Sequence, residues 1–416
     1  MKAKLLFMSV MATLCMWSCS SKDDLNIDVQ PYEPQPEEPV TRHSYTPVQL
    51  NETQQAINAK LQDFSWDLFK EVYAINDAAE NMMISPISLE IDLGMFQNGI
   101  EGETLEKLLN TQGLGGFKVD EINDYYKALI TGIAKADDRV TFTSANSLWY
   151  HNEYSVTDNF KTAIENNYAA KVAFADFSNS KTKDIINSWC SDNTGDRIKE
   201  MITALGPDDL FHLLNAVYFK GGWSFEFDKK QTKKDEFKTA NGDIKEVEMM
   251  YQEFSCIGYS DEGDFQVIVL PLTSSGFTYF AMLPKEGVKL DDAIASLSPS
   301  SINSLVGTKV NLYMPKFEVE YEMAALVDVL QAINPELTFN QEDITFLNTK
   351  VNDVNIMQKT FFKVDEEGVE AAAVTDLSNG LGYSNNIIEL RLDHPFIYGI
   401  METSTNMPLF IGYYGN

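Results

Sequence analysis

The chain has little of what most enzymes use. In 416 residues it holds four cysteines and four histidines. Cys15 and Cys19 fall in the first twenty residues, leaving Cys190 and Cys256 in the body, and neither stands in a Cys-x-x-Cys or Cys-His metal spacing. That excludes a disulfide framework and reads as two small buried residues. With only His43, His151, His212 and His394 available, readings that need a histidine base or ligand are few. His394, between Asp393 and Pro395 near a strand start, reads as structural. There is no phosphate loop, no Gly-x-Ser-x-Gly elbow, no His-Glu-x-x-His helix and no paired cysteine ligands, so no metal or cofactor is expected. Positive charge is scarce too. Against 62 acidic residues stand 32 basic ones, a net charge of −30, which argues against nucleic acid or anionic membrane as an electrostatic partner. It favours solubility and a basic partner. Acidic residues are plentiful enough that a carboxylate pair for glycoside hydrolysis, on a surface enzyme, stays open as an alternative.

What is present begins with an export signal. Lys2 and Lys4 precede the apolar run Leu5–Leu14, which is too short to remain as a membrane span. The signal ends Met16-Trp17-Ser18-Cys19, and a small residue before cysteine resembles a bacterial lipobox, with Trp17 bulkier than usual there. That resemblance implies a signal peptide over 1–18 and a diacylglycerol on the Cys19 thiol. Ser20-Ser21-Lys22-Asp23-Asp24 resembles the acidic sorting tag of surface-displayed lipoproteins. The expected location is the bacterial outer membrane or cell surface, with plain secretion or the periplasm as the alternative. A Pro- and Glu-rich spacer is expected over 19–48, since it has too little apolar surface to fold. One folded domain is expected over 49–416. Length alone would allow two or three domains or one large one, and 44% hydrophobic residues suffice for a core.

Within the body, Ile57, Leu61, Phe64, Leu68 and Val72 recur at helical spacing. Ser85 is placed as an N-cap with Pro86 at the first helical position, and the helix runs to about Asn98. A short helix is expected over Leu105–Leu109. Strands are expected over Val140–Tyr150, Lys171–Phe177, Leu213–Trp223, Val267–Leu272, Phe277–Pro284 and, as one continuous run, Val310–Val319. Pro395–Met401 and Pro408–Tyr413 read as a buried hairpin. Mixed helices and mostly antiparallel strands suit an α+β domain.

The most informative stretch is Glu366-Glu367-Gly368-Val369-Glu370-Ala371-Ala372-Ala373-Val374-Thr375. It follows an apolar strand-like segment, Asn355–Val364, and leads into the loop Asp376–Asn386. Read at the strand period of two, Val369, Ala371, Ala373, Thr375 and Leu377 share one face and carry no charge. Glu370, Ala372, Val374 and Asp376 share the other. Glu-Ala-Ala-Ala-Val is equally good helix sequence, so residue preference alone does not choose.

Glu366–Ala373, about twenty residues before Asp393-His394-Pro395-Phe396, resembles the reactive-loop hinge of the serpin family. Asn81-x-x-x-Ser85-Pro86-x-Ser88, the downstream Gly99-x-x-Gly102-x-Thr104, Asn193-Thr194 with Ile198, and Asn215-Ala216-Val217-Tyr218-Phe219-Lys220-Gly221-Gly222-Trp223 match other family patterns, in order, from about Leu50 to Asn416. The resemblance implies a single α+β domain with a large, mostly antiparallel central sheet, further sheets, several helices and an exposed reactive loop. It implies a monomeric suicide-substrate inhibitor, not an enzyme, which captures a serine or cysteine protease in a covalent complex. Ser85, Ser88, Asn215, Gln358 and Trp223 would surround the place where the sheet opens. Val369 stands where inhibitory relatives usually have Thr or Ser, and Gln358 where they often have His. A non-inhibitory member acting as a surface binding protein is the alternative; a hinge with proline or alternating charge would favour it, and this hinge has neither. Counting from the hinge puts the bait bond near Gly382-Tyr383, and counting back from Pro395 puts it about two residues later. Leu381 and Tyr383 are the large side chains there, giving Tyr383-Ser384 or Leu381-Gly382, and no Arg or Lys lies between Lys363 and Arg391.

Overall fold

A helix that is apolar on every side has to lie inside a protein, and such a helix sits at the centre of this one. In the computed structural model, which describes residues 45–76, 80–261, 263–273, 276–302, 305–323, 326–351, 354, 356, 358–369 and 383–415, all of α2 (Pro86–Gln97) is buried. Before it come α1 (Glu52–Ile75) and the short strand β1 (Met82–Ile84). Asn51 starts α1 with a reciprocal capping box: its side chain accepts from the Gln54 N–H, and the Gln54 side chain accepts from the Asn51 N–H. The five apolar positions read from the sequence all face the core. Residues 45–48, inside the expected spacer, are already bonded to the body: the Thr46 N–H donates to the Ala136 carbonyl and the Val48 N–H to Ser404 Oγ.

The chain continues through α3 (Gly102–Thr111), α4 (Val119–Ile133), β2 (Thr141–His151), α5 (Asp158–Tyr168), β3 (Lys171–Ala175), α6 (Ser180–Asn193) and β4 (Phe211–Gly222). The helix expected over Leu105–Leu109 is longer at both ends, and Gly102 and Thr104 build its earlier start. Gly102 has φ +63°, and a side chain there would strike Asp343. The Asp343 carboxylate accepts from the Thr104 N–H and hydroxyl, supplying the cap that Glu101 does not. Then follow β5 (Lys233–Lys238), β6 (Ile244–Ser260), β7 (Phe265–Leu272), β8 (Phe277–Pro284), α7 (Leu290–Ala295), β9 (Val306–Pro315), β10 (Phe317–Met323) and α8 (Leu326–Ile333). The last part holds β11 (Gln358–Val364), β12 (Gly368–Val369), β13 (Tyr383–Arg391), β14 (Phe396–Glu402) and β15 (Met407–Tyr414).

The strand expected over Val310–Val319 is two strands. Pro315 has no N–H to extend a ladder, and the Lys316 N–H makes one more in-register bond to β6, at the Glu248 carbonyl, before the chain leaves that sheet. β9 therefore belongs to a nine-stranded sheet ordered β1-β15-β14-β8-β7-β6-β9-β13, with β5 on β6, while β10 pairs with β11 in another. A third sheet runs β12-β4-β2-β3. β4 is buried on both faces. Leu213, Val217 and Phe219 join the main core, whereas Leu214 and Ala216 meet Ile186 and Cys190 of α6.

Two carboxyls are fully buried in α2. Glu90 Oε1 accepts from the Ser65 hydroxyl at 2.7 Å, while Glu90 Oε2 and both oxygens of Asp92 have no partner among the described residues. Burial pushes both carboxyls well above their ordinary range. A carboxyl whose folded value is raised stabilises the fold fully below its unfolded value, and stability is lost as pH climbs from there toward the raised value. Asp92→Asn should therefore raise the unfolding temperature at pH 8, with the gap narrowing toward pH 4. Each unit of raised pKa is worth about 1.4 kcal/mol. A gap that does not change with pH, read by calorimetry, would refute this account.

Candidate functional site

β4 and β11 border a gap and, among the described residues, are not laddered to each other. Tyr218 and Phe219 of β4, Phe361, Phe362 and Lys363 of β11, Val369 of β12 and Phe410 of β15 line it. Among the described residues β11 ladders only with β10, and β4 only with β2 and, at its very end, β12. Each flank thus presents a strand edge, a row of backbone donors and acceptors ready for another strand.

The start of α2 holds the two flanks separately. The Ser85 N–H donates to Gln358 Oε1 at 2.9 Å, and Gln358 Nε2 donates to the Ser85 carbonyl at 2.9 Å. That ties β11 to the helix. Thr360 adds a hydroxyl bond to the Met83 carbonyl at 2.6 Å. On the other side the Ser88 hydroxyl donates to Asn215 Oδ1, and Asn215 Nδ2 donates to Ser144 Oγ at 3.1 Å and to Asn146 Oδ1. That ties β4. All five expected opening residues lie here or at the upper end of the gap, but among these the Gln358 side chain bonds Ser85 and not Ser88 or Asn215. Ser85 occupies the N-cap position, yet its side chain makes no capping bond and its Oγ has no partner among the described residues.

The upper end is occupied by the hinge. β12 runs antiparallel to β4, with Gly368 opposite Gly222 and Val369 opposite Gly221. Val369 is only 2% exposed in the intact chain. Gly368 is required by geometry: its φ is +149°, and a Cβ would lie 2.6 Å from the Gly221 oxygen and 2.9 Å from the Trp223 nitrogen. Trp223 clamps the turn, its indole N–H donating to the Asp365 carbonyl at 2.8 Å and its backbone N–H to the Glu367 carbonyl at 3.2 Å. The Phe227 N–H takes the Glu366 carbonyl at 2.9 Å.

The hinge carboxylates are anchored as well. Glu366 is buried and accepts from the Thr232 hydroxyl at 2.7 Å, and Lys316 Nζ lies 3.2 Å from its other oxygen. Burial acts to raise this carboxyl, but Thr232, its own backbone N–H and Lys316 outweigh it and hold it below its ordinary value. Asp365 is depressed in the same way: burial is opposed by Lys363, 3.0 Å away, and by the N–H groups of Glu367 and Gly368. Lys229 pairs with the exposed Glu367.

Of the other expected residues, Glu370, Ala371, Ala372, Ala373, Val374, Thr375, Leu381, Gly382 and Cys19 lie outside the described residues. Tyr383 and Ser384 open β13, in parallel register with Gly307 and Thr308 of β9. Sequence reasoning did not assign roles to Gly221, Gly222, Thr232, Phe227 or Lys316. The adjacent glycines before Trp223 were the available signal for a close backbone approach. Nothing local marks Thr232 or Lys316.

A family model described as "Serpin (serine protease inhibitor)" matches residues 59–416. Human neuroserpin is 28% identical over 369 residues, 85% of this chain and 90% of its own length. Iripin-3 from Ixodes ricinus is 30% identical over 348 residues, 80% of this chain and 88% of its own. Among solved structures, the thermophilic serpin Tengpin in its native state aligns with TM-score 0.78 and 28% identity, covering 90% of this chain and 98% of that one. Human thyroxine-binding globulin complexed with its hormone aligns with TM-score 0.78 at 23% identity, over 88% of this chain and 99% of that one, a likeness of fold. With the expected α+β architecture in place, the chain belongs to the serpin family, whose members are typically protease inhibitors.

Proposed function

We propose that the protein is a suicide-substrate inhibitor of serine or cysteine proteases with apolar or aromatic primary specificity. One observation carries this reading: the hinge is already laddered into an unsealed gap, in the direction an inserted strand would run. A protease attacks the loop and forms an acyl-enzyme. The freed hinge then continues down the gap, carrying the tethered enzyme with it; about fifteen residues at roughly 3.3 Å each give a path near 50 Å.

The observed register specifies what insertion would bring together. Pairing of Gly368 with Gly222 continues to Ala371 opposite Phe219, Ala373 opposite Val217, Thr375 opposite Asn215 and Leu377 opposite Leu213. The Asp365–Gly368 bridge, continued likewise, sets Ala371 beside Phe362, Ala373 beside Thr360 and Thr375 beside Gln358. Small residues would enter between phenylalanines, and the one hydroxyl would reach the two amides already in the gap. On the outer face Glu370 would fall between Lys220 and Lys363. These ladder bonds and the buried face supply the free energy that a metastable uncleaved fold holds behind a barrier.

Ala371→Arg should turn inhibitor into substrate. A guanidinium between Phe219 and Phe362 has neither room nor partner, and burying it costs several kcal/mol. Insertion must outrun deacylation, and each 1.4 kcal/mol slows it about tenfold. Gel analysis with chymotrypsin should show loop cleavage with little SDS-stable adduct; wild-type adduct yield would sink the insertion reading.

For the bait bond we propose Tyr383-Ser384, with Leu381-Gly382 second, because no basic side chain lies in the loop. Tyr383→Ala should lower the association rate about 10- to 100-fold, the 1–3 kcal/mol of an emptied pocket. Mass spectrometry of the released fragment locates the cut. A stable adduct with trypsin, or a cut outside residues 379–386, would overturn the assignment.

We also propose that Cys19 carries lipid and holds the protein at the outer membrane or cell surface, the spacer reaching at most about 60 Å. The support is the apolar run ending in Ser18-Cys19. Fatty-acid labelling should mark the wild type and not Cys19→Ala, and equal labelling would refute it.

A further inference from the structure

Thr273 is folded where threonine is least at home. Its φ is +44°, in the left-handed region that β-branched residues rarely enter and that a hairpin ordinarily gives to glycine or asparagine. It is also fully buried, at the start of the connection from β7 to β8. Such outliers persist only where the surroundings over-determine them, and they gather at the working parts of proteins. Here each polar group of the residue has a task. Its N–H donates to the Gly222 carbonyl at 2.9 Å, its carbonyl accepts from the Ser224 hydroxyl at 2.9 Å, and its own hydroxyl donates to Asp137 Oδ2 at 2.7 Å. Glycine would remove the strain and, with it, the third bond.

The residues that Thr273 holds are the dock of the hinge. Gly222, Trp223 and Ser224 have partners on both edges. On one edge Gly368 pairs with Gly222, and the Trp223 N–H reaches the Glu367 carbonyl. On the other, Trp223 bridges to Leu272, between the Thr273 bond to Gly222 and a Ser224 N–H bond to the Pro271 carbonyl at 3.1 Å. Asp137 adds a third tie. It is buried, its Oδ1 accepts from the Arg139 N–H at 3.0 Å, and it leads directly into β2, which ladders with β4 from Thr141 opposite Lys220. The dock is thereby fixed at one point to β7 and to the lead-in of β2.

We propose that Asp137 and Thr273 act as a positioning clasp for insertion, holding Gly222–Ser224 in the register that the hinge needs. The inference rests on the inhibitory reading above. With the clasp closed, the Gly368 and Val369 pairs are in place when the loop is cut. With it open, the end of β4 is free to sway, those pairs have to be remade, and deacylation gains in the race. Both side chains are buried, so neither touches the protease. The clasp governs the partition after attack and leaves the rate of attack alone.

The test uses the whole protein with chymotrypsin. Wild type is compared with Thr273→Val, which keeps shape and strain but not the hydroxyl, with Thr273→Ser, which keeps the hydroxyl, and with Asp137→Ala. Association rate, stoichiometry of inhibition and amide exchange read by mass spectrometry are measured for each. Thr273→Val should raise the stoichiometry about fivefold and speed exchange in peptides covering residues 221–224 and 365–369 about tenfold, with the association rate within about twofold of wild type. Thr273→Ser should match wild type. Adding Asp137→Ala to Thr273→Val should cost no more than the worse single change, since both break one bond. If Asp137→Ala does not fold, the two Thr273 variants decide. A Thr273→Val protein that melts earlier but keeps wild-type stoichiometry and hinge exchange would overturn the clasp and leave the inhibitory reading standing, as would a Thr273→Ser protein that behaves like Thr273→Val. Loop cleavage of the wild type without adduct would overturn the inhibitory reading and the clasp with it.

Discussion

The rest of this structure is arranged around a ladder that β4 and β11 do not make with each other among the described residues. They lie on either side of a gap, and among the described residues each has one edge paired along its length and one that is not. An open edge in the middle of a protein leaves backbone groups without their partners, and buried backbone groups without partners are costly. The flanks stay in place because α2 holds each from below through its own contact, Ser85 to Gln358 and Ser88 to Asn215. Those contacts share a helix and not a bond. Among the described residues no ladder bond joins the flanks directly.

The hinge uses the same geometry at the top. Gly368 can approach Gly221 and Gly222 because none of the three has a side chain, and Val369 then closes the gap's upper end. A valine in that place suits a buried strand position better than a hydroxyl residue would. The Glu366 contacts to Thr232 and Lys316 fix the turn that aims the chain downward. Both Asp365 and Glu366 have depressed values, so this anchorage is complete above the ordinary carboxylate range and weakens as pH falls through the folded values. On the proposed mechanism, the first ladder step of insertion would be made before any bond is cut, which would remove part of the loop-ordering cost from the race with deacylation.

Where a segment buries one clear face, its sequence was enough. α1 repeats at three and four residues, and the β14–β15 hairpin is apolar throughout, so both were legible. β5 and the first part of β6 were not, because they are exposed, charged ribbons whose pairing lies between backbones. The break at Lys316 is marked only by Pro315 and by a one-residue slip in the alternation, from Val310, Leu312 and Met314 to Phe317 and Val319. At the site, the motif residues around Ser85, Asn215 and Trp223 were legible through family resemblance, and Val369 through its period-two face. What could not be read was partnership across long separations. Lys316 and Thr232 meet Glu366 from 50 and 134 positions away, as 366 − 316 and 366 − 232 give. Nor could the sequence tell that Val369 is buried in the uncut chain, since the pattern describes a face and not the state in which it is buried.

The buried carboxyls of α2 bear on the same question of when. Glu90 and Asp92 sit in the helix that clasps both flanks, and three of their four oxygens lack partners among the described residues. Desolvating them opposes folding at neutral pH, so the clasp belongs to a state that is not optimised for stability. An inhibitor that draws its force from refolding needs a starting state above its final one in free energy, kept there by a barrier. On the proposed mechanism, a seam between β4 and β11 would raise the starting state by leaving ladder bonds unmade, and these carboxyls would raise it by a second, independent route. The two differ in what relieves them: an added strand answers the seam, whereas the carboxyls are relieved by protonation or by movement of α2. If insertion shifts that helix, as parting strands tied to its first turn would demand, the same motion that seals the sheet also changes the surroundings of Glu90 and Asp92.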